Sequence, residues 1–469
     1  MSEIAVQPPN PKTLFGHPIG LYLLFLTEMW ERFSYYGMRG LLTLFLSKAV
    51  IEGGMGFDKA NATLIYGYFT GFVYLTPIIG GWIADNFIGQ RRAILIGGIT
   101  MMIAQFSLGS GLGNVSVYAG LLLLIIGNGF FKPNISTIVG ALYPQADPRR
   151  DSAFTIFYMG INLGAFLAPL VCGFLAEDMF AVKEGDTIIS YGFKYGFLAA
   201  GVGMMFGQIM FSTLSQRFLG DVGKAPSVKK KDKDNPEAEI PLTKEETDRL
   251  KVIFIVVTFV TFFWAGFEQA GSSLTLYTDE FIDRHIGSFL VPTSWFQSVN
   301  PLFILLVGPL FSALWLGLAK SGKDLSIPVK MSLGMFLLGI GFFLMIGAVY
   351  ERAMIAGMGP QDAIDASIKA NIWWLIGAYF FHTIGELCLS PIGLSMITKL
   401  SPIKLVSLLY GVWFLSPFVA QIAGGYIAAY VEELGAFNIF ALIAGFVILA
   451  GIILWSMSGM LVRWMHGRG

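Results

Sequence analysis

Charge, histidine and cysteine are all scarce in this chain. Of 469 residues only 13% are charged, four are histidine and two are cysteine. Soluble proteins carry about a quarter charged residues, so a chain of this length has too little polar surface to wrap a water-exposed fold. That excludes a cytosolic enzyme, a secreted disulfide scaffold and a nucleic-acid binder. Cys172 and Cys388 both fall in apolar stretches and form no metal-ligand spacing; they read as small buried hydrophobes. Lys+Arg and Asp+Glu both number 31, and a net charge of zero points to no polyanionic partner. No signal-peptide core lies between Met1 and His17, so the first long apolar stretch is expected to be retained.

What the chain has instead is apolar length. It is 55% hydrophobic, with 41 Phe and 56 Gly, and its mean hydropathy is +0.67. A helix crossing about 30 Å of hydrocarbon needs about 20 apolar residues. Twelve stretches qualify: 18–47, 62–84, 92–111, 116–142, 152–176 and 193–216, then 251–278, 294–318, 327–350, 371–398, 405–431 and 436–462. Residues 217–250, with the run Lys229-Lys230-Lys231-Asp232-Lys233-Asp234, form the longest polar segment and read as a solvated linker. The expected organisation is an all-α membrane protein with a six-helix bundle over 1–216, a linker over 217–250 and a second six-helix bundle over 251–469. With the N-terminus placed in the cytoplasm, 21 basic residues fall on the inside and 7 on the outside. This imbalance puts both termini inside.

The three remaining basic residues, Arg32, Arg39 and Lys132, lie within spans, as do Glu28, Glu31, Glu268 and Glu386. Ionisable groups at that depth cost several kcal/mol and normally face the protein interior or a water-filled cavity. They occupy spans 1, 4, 7 and 10, the first helix of each group of three. Nested three-helix repeats build the twelve-span transporters of the major facilitator type, whose substrate site lies near the midplane. A channel more often shows one dominant sign of charge along its axis, whereas three bases face four acids here.

Span 1 carries the densest pattern. At about 100° per residue, Glu28, Glu31, Arg32, Tyr35, Tyr36 and Arg39 fall in a stripe about 140° wide. Glu28 and Arg32 are an i,i+4 pair with the acid first, the favourable order. Two carboxylates beside one guanidinium cannot both be cheaply ionised in low dielectric, so one is expected to hold a proton part of the time. By depth, Arg39 and Glu268 can pair on the outer side, and Lys132 and Glu386 at or below the midplane. Each pair joins the two halves, and making one while breaking the other would form an alternating-access gate.

Several motifs then stand together. Glu28-Met29-Trp30-Glu31-Arg32-Phe33 resembles the E-x-x-E-R-[FY] motif of the proton-dependent oligopeptide transporter family. Gly80-Gly81-Trp82-Ile83-Ala84-Asp85, with Gly89 and Arg91-Arg92, is similar to that family's loop after span 2, although Asn86 stands where a basic residue is usual. Gly129-Phe130-Phe131-Lys132-Pro133-Asn134 resembles its span-4 motif, and Phe157 to Gly164 its F-Y-x-x-I-N-x-G signature, with Ala165 in place of the common Ser. Trp264 to Gln269 and Gly385 to Gly393 resemble the span-7 and span-10 motifs. The two extra helices that many bacterial members carry between the halves do not fit in 34 polar residues.

The resemblance implies proton-driven import of di- and tripeptides across the cell's inner membrane by a monomeric, multi-pass symporter that is not an enzyme and uses no metal or cofactor besides the coupling proton. The residues agree with it. A zwitterionic peptide separates carboxylate and ammonium by several to about 10 Å. Arg32 and Lys132 can take the carboxylate, Arg32 by a bidentate fork, and Glu386 the ammonium. Asn162 and Asn300 can hydrogen-bond the peptide backbone. Tyr35, Tyr36, Tyr74, Trp264 and Trp413 offer adaptable amphipathic walls. Arg39 completes the charged stripe. Proton coupling is expected at Glu28, Glu31 with Arg32, and Glu268. His382, one turn before Glu386, reads first as a helix–helix hydrogen bond. Pro133, Pro169, Pro301 and Pro391 are expected to bend their spans. The alternative reading is proton-coupled transport of another small zwitterion or anion, an amino acid or nitrate, on the same fold.

Overall fold

The computed structural model describes residues 13–144, 147, 149–185, 187–226, 242–360, 367–402 and 405–468. The pattern of apolar stretches becomes helices almost one for one. The first half contains α1 (Ile19–Ser47), α2 (Lys59–Ile83), α3 (Gln90–Leu108), α4 (Asn114–Ala141), α5 (Arg150–Phe174) and α6 (Phe193–Leu219). The second contains α7 (Lys244–Phe267), α8 (Ser273–Phe281), α9 (Val299–Lys320), α10 (Ile327–Ala356), α11 (Ile372–Leu400), α12 (Val406–Ala429) and α13 (Val431–Trp464). Ten of the helical stretches are long and apolar enough to cross a membrane. The stretches outside that set are α1, which carries four ionisable side chains, and α3, which opens on Gln90, Arg91 and Arg92.

Helix ends follow local chemistry. Asp58 accepts the Asn61 N–H at 2.7 Å where α2 begins. Thr243 and Glu246 form a reciprocal capping box at the start of α7. Asn371 accepts the Trp373 N–H at 3.0 Å at the start of α11. Gly357 closes α10 at φ 66°, a left-handed position that other residues adopt only with strain. Because α6 runs on to Leu219 and α7 starts at Lys244, the polar linker is shorter than the segment 217–250 read from the sequence; residues 227–241 lie outside the described residues.

Span 7 is not one helix. α7 stops at Phe267, residues Glu268–Gly271 make a 3-10 turn, and α8 resumes at Ser273. Gln269 fills the break: its Nε2 donates to Ala265 O and to Gly424 O of α12, both at 3.1 Å, and its Oε1 accepts the Ser273 hydroxyl at 2.6 Å. Backbone groups released inside a bilayer need such partners.

The chain divides into two compact units. Unit 1 comprises Met1–Phe57, Phe72–Lys231 and Ser294–Pro301; unit 2 comprises Asp58–Gly71, Asp232–Thr293 and Leu302–Gly469. In unit 1, α1 packs on α5 and α6, and α3 on α4 and α6. Close backbone approach explains several of its glycines. A Cβ on Gly37 of α1 would lie 2.5 Å from Cys172 Sγ, and one on Gly80 would lie 2.0 Å from Gly129 O. In unit 2, α10 packs on α11 and α13, and α7 on α12 and α13. The first part of α2 belongs here: Thr70 donates to Gln421 Oε1 at 2.9 Å, and Lys59 pairs with Glu280 at 2.7 Å. Conversely, the segment leading into α9 belongs to unit 1. Ser294 N–H donates to the buried Glu177 at 2.9 Å, and Trp295 Nε1 to Leu170 O at 3.0 Å. Leu306, Leu310, Leu314 and Leu316 on α9 and Leu442, Phe446 and Leu449 on α13 are exposed, the surface a hydrocarbon solvent requires.

Candidate functional site

The charged stripe of α1 lies inside unit 1. Glu28, Glu31 and Arg32 are 2%, 0% and 4% exposed, so all three are withdrawn from solvent. Arg32 Nε is 3.0 Å from Glu28 Oε1 and is also ion-paired with Glu31. One guanidinium therefore serves two carboxylates, as the helical spacing requires. The neighbouring helices complete the group. Asn128 of α4 donates its Nδ2 to Glu31 Oε1 at 3.2 Å, and Lys132, one turn further along α4, acts electrostatically on both Glu28 and Glu31. Its Nζ sits 4.4 Å from the centre of the Tyr74 ring of α2, a cation–π contact that holds the ammonium without cancelling its charge. The cluster of Glu28, Glu31, Arg32 and Lys132 is formally neutral when all four are ionised. Arg32 Nη2 and one oxygen of each carboxylate are buried without an aligned hydrogen bond. In a low-dielectric site such atoms are costly to leave alone and are suited to a polar ligand.

The aromatic members of the stripe follow their charges. Arg32 Cζ lies 5.7 Å from the Tyr35 ring centre, Arg39 Cζ lies 5.7 Å from that of Tyr36, and the two tyrosines meet edge to face at 5.4 Å. Gly164, the last residue of the F-Y-x-x-I-N-x-G segment, sets the depth of α5 against α1. A Cβ there would fall 2.3 Å from Met29 O and 2.9 Å from Arg32 Cβ. Asn162 is buried on the same helix and donates its Nδ2 to Tyr158 O at 3.0 Å. Asn300 lies in the segment belonging to unit 1, anchored by Ser298 Oγ donating to Phe166 O at 2.7 Å. The division read from the sequence places Asn300 with the second bundle.

In unit 2, Glu268 is buried at the break between α7 and α8. Trp264 precedes it by one turn and stacks edge to face on Phe263 and Phe267. Glu386 is half-buried on α11. Trp413 of α12 is buried, its ring lying where a Cβ on Gly393 of α11 would project, 1.9 Å from it. His382 is buried, with its ring 4.8 Å from that of Phe342 and over Gly341 of α10, which places it in the seam between α10 and α11. Pro133 and Pro169 lie inside α4 and α5, and Pro301 in the first turn of α9. Arg39 and Lys132 belong to unit 1, Glu268 and Glu386 to unit 2.

The structure thus brings Glu28, Glu31, Arg32, Tyr35, Lys132 and Tyr74 together. Asn128 joins them from outside the set expected from the sequence; its signal is an amide one turn before Lys132 in an otherwise apolar span. Gln105 is a second such case, donating from α3 to Ser34 O at 3.0 Å beside the stripe.

Comparison with known proteins agrees with this architecture. The profile of the POT family matches residues 91–235 and 237–441. The chain is 33% identical to the peptide transporter YePEPT of Yersinia enterocolitica over 92% of this chain and 91% of that one. It is 31% identical to the di-/tripeptide transporter of Lactococcus lactis subsp. cremoris, over 94% and 95% respectively. Among solved structures, it superimposes with a TM-score of 0.87 on a peptide transporter POT in complex with sulfate, at 32% identity and 99% coverage of both chains. The fold is that of the major facilitator transporters, and the chain is a multi-pass membrane protein belonging to the POT family, the proton-dependent oligopeptide transporters.

Proposed function

We propose that this protein is a proton-coupled symporter that imports di- and tripeptides by alternating access, with Arg32 and Lys132 receiving the peptide carboxylate and Glu28 or Glu31 carrying the coupled proton. The observation that carries this reading is the buried cluster of two acids and two bases, formally neutral, with an unpartnered Arg32 Nη2. A peptide carboxylate brought to Arg32 and Lys132 adds one negative charge to a site that water cannot screen. Taking up one proton on a neighbouring carboxylate restores neutrality. Peptide and proton thereby favour each other's binding, and by linkage the coupling is reciprocal. Arg32 presents a planar fork that matches a carboxylate, whereas Lys132 on its tyrosine face contributes a point charge.

Glu386 takes the peptide ammonium in this proposal, and Asn162 and Asn300 meet the peptide backbone. Termini and backbone are common to all peptides, so selectivity for length comes from the spacing of the charges. Tyr35, Tyr36, Tyr74, Trp264 and Trp413 accept varied side chains through apolar bodies with polar tips. Arg39 with Glu268 and Lys132 with Glu386 are the gate pairs, each with one member on either side of the alternating-access motion. Release of one pair and closure of the other moves the opening from one face of the membrane to the other.

The test is competition in reconstituted liposomes. Uptake of labelled dialanine under an inward proton gradient is expected to be blocked by unlabelled di- and tripeptides and unaffected by alanine or nitrate at the same concentration. Equal inhibition by alanine or nitrate would favour the reading as a transporter of another small zwitterion or anion.

A further inference from the structure

Unit 2 carries a second polar feature that the transport chemistry does not use. At one end of the unit, the loop before α10, the last turns of α11 and the end of α13 enclose a cleft of ≈ 540 Å³. Its charged lining is Lys330, Lys399 and Asp324, and its apolar lining includes Leu325, Ile392 and Val462. Lys330 is fixed: its Nζ is 2.7 Å from Asp324 Oδ1 and 4.9 Å from the centre of the Trp315 ring. Its side chain is 12% exposed, that of Asp324 47%. Lys399 is exposed in the last turn of α11. Two bases against one acid leave the cleft positive, and the Asp324 pair occupies only one of the three donors on Lys330.

The location decides what such a cleft suits. Val462 both lines it and stands 41% exposed on α13, so its apolar wall runs into the surface that faces hydrocarbon. The same end of unit 2 holds Lys320, Lys323, Arg463 and Arg468 close to helix termini. This concentration of bases marks the cytoplasmic leaflet by the positive-inside rule, where anionic lipids gather. A cleft with fixed ammonium groups at its polar rim and an aliphatic wall toward the bilayer matches one molecule in particular, a phospholipid with a net negative headgroup.

We infer that the cleft between the α9–α10 loop, α11 and α13 is a binding site for one anionic phospholipid, whose phosphate sits between Lys330 and Lys399 and whose acyl chains lie along Leu325, Ile392 and Val462. Each lysine near an anionic lipid surface is worth about a fivefold factor in binding, and two together about thirtyfold.

The experiment uses the full-length protein in detergent, titrated with dioleoylphosphatidylglycerol, dioleoylphosphatidylcholine or inorganic phosphate and followed by melting temperature. Phosphatidylglycerol is expected to give a saturable stabilisation that phosphatidylcholine and inorganic phosphate do not. Lys399→Gln should weaken half-saturation about fivefold, and Lys330→Gln with Lys399→Gln about thirtyfold. Lys320→Gln, a base on the same face outside the cleft, should leave it unchanged. Because Lys399 is exposed, its single variant separates loss of lipid binding from loss of folding. An equal response to phosphatidylcholine or to inorganic phosphate would overturn the assignment. So would an equal loss in Lys320→Gln, which would reduce the effect to general surface charge.

Discussion

Replacing Glu31 by glutamine removes one negative charge from the cluster while keeping its shape. Arg32 retains Glu28 at 3.0 Å, so the buried guanidinium is still compensated and the fold is expected to survive; stripping the sole partner from a buried charge would cost about 3–5 kcal/mol. The glutamine carbonyl can still accept the Asn128 amide that reaches Glu31 at 3.2 Å. With one acid gone, the cluster of Glu28, Arg32 and Lys132 becomes neutral when the peptide carboxylate binds, so no proton is taken up with the peptide, whichever carboxylate carried it before. One proton crossing a potential of 100 mV supplies about 2.3 kcal/mol, enough to hold a peptide concentration ratio of about fiftyfold. In liposomes clamped at that driving force, the wild-type protein should concentrate dialanine toward this ratio. Glu31→Gln should bring it only to equality, while exchange of internal for external dialanine, which needs no net proton movement, continues within a few-fold of wild type. Accumulation by Glu31→Gln at the wild-type ratio would show that the charge of this cluster does not couple peptide to protons. Loss of exchange together with accumulation would show that Glu31 is needed for binding or folding rather than for coupling.

Other residues give independent checks. Arg32→Lys keeps the charge but loses the planar fork, and should raise KM for dialanine about 10- to 100-fold, the worth of a charge-assisted hydrogen bond, as read by uptake kinetics. Gly164→Ala places a methyl group 2.3 Å from Met29 O; it should lower stability by about 1–3 kcal/mol, measured by thermal melting, and weaken peptide affinity because α1 must shift with Arg32. His382→Gln should leave the pH dependence of uptake unchanged, since the ring lies in the α10–α11 seam against Gly341 and Phe342; a shifted profile would give His382 a part in proton transfer. Lys59→Ala should lower stability by only about 0.2–1 kcal/mol, because its pair with Glu280 is about one-third exposed on both sides, and Lys59→Glu with Glu280→Lys should restore it.

The sequence was most legible where a strict period governs. Twenty apolar residues in a row mean a span, and nearly every span edge lies within a few residues of a helix end. The stripe of Glu28, Glu31, Arg32, Tyr35, Tyr36 and Arg39 is a consequence of 3.6 residues per turn, and its grouping of two acids on one base holds in the fold. The rest depends on contacts between distant segments. The break after Phe267 depends on Gln269 finding Gly424 on α12, 155 residues away; the local hint, Gly271-Ser272-Ser273, does not by itself separate a break from a polar turn of an unbroken helix. Asn128 becomes part of the site because α4 lies beside α1. The segments Asp58–Gly71 and Ser294–Pro301 belong to units other than their own halves, since their polar groups, Thr70 and Lys59 in one and Ser294 and Trp295 in the other, find partners there. Linear order is blind to such an exchange.

Whether peptide and proton cross together is read by following both at once. Liposomes containing the protein and a trapped pH-sensitive dye are diluted into dialanine with no pH gradient and with the membrane potential clamped at zero. Peptide moving down its own gradient should carry protons inward and acidify the lumen, and the acidification should vanish in Glu31→Gln. Dialanine entry with no change in luminal pH would rule out symport with protons.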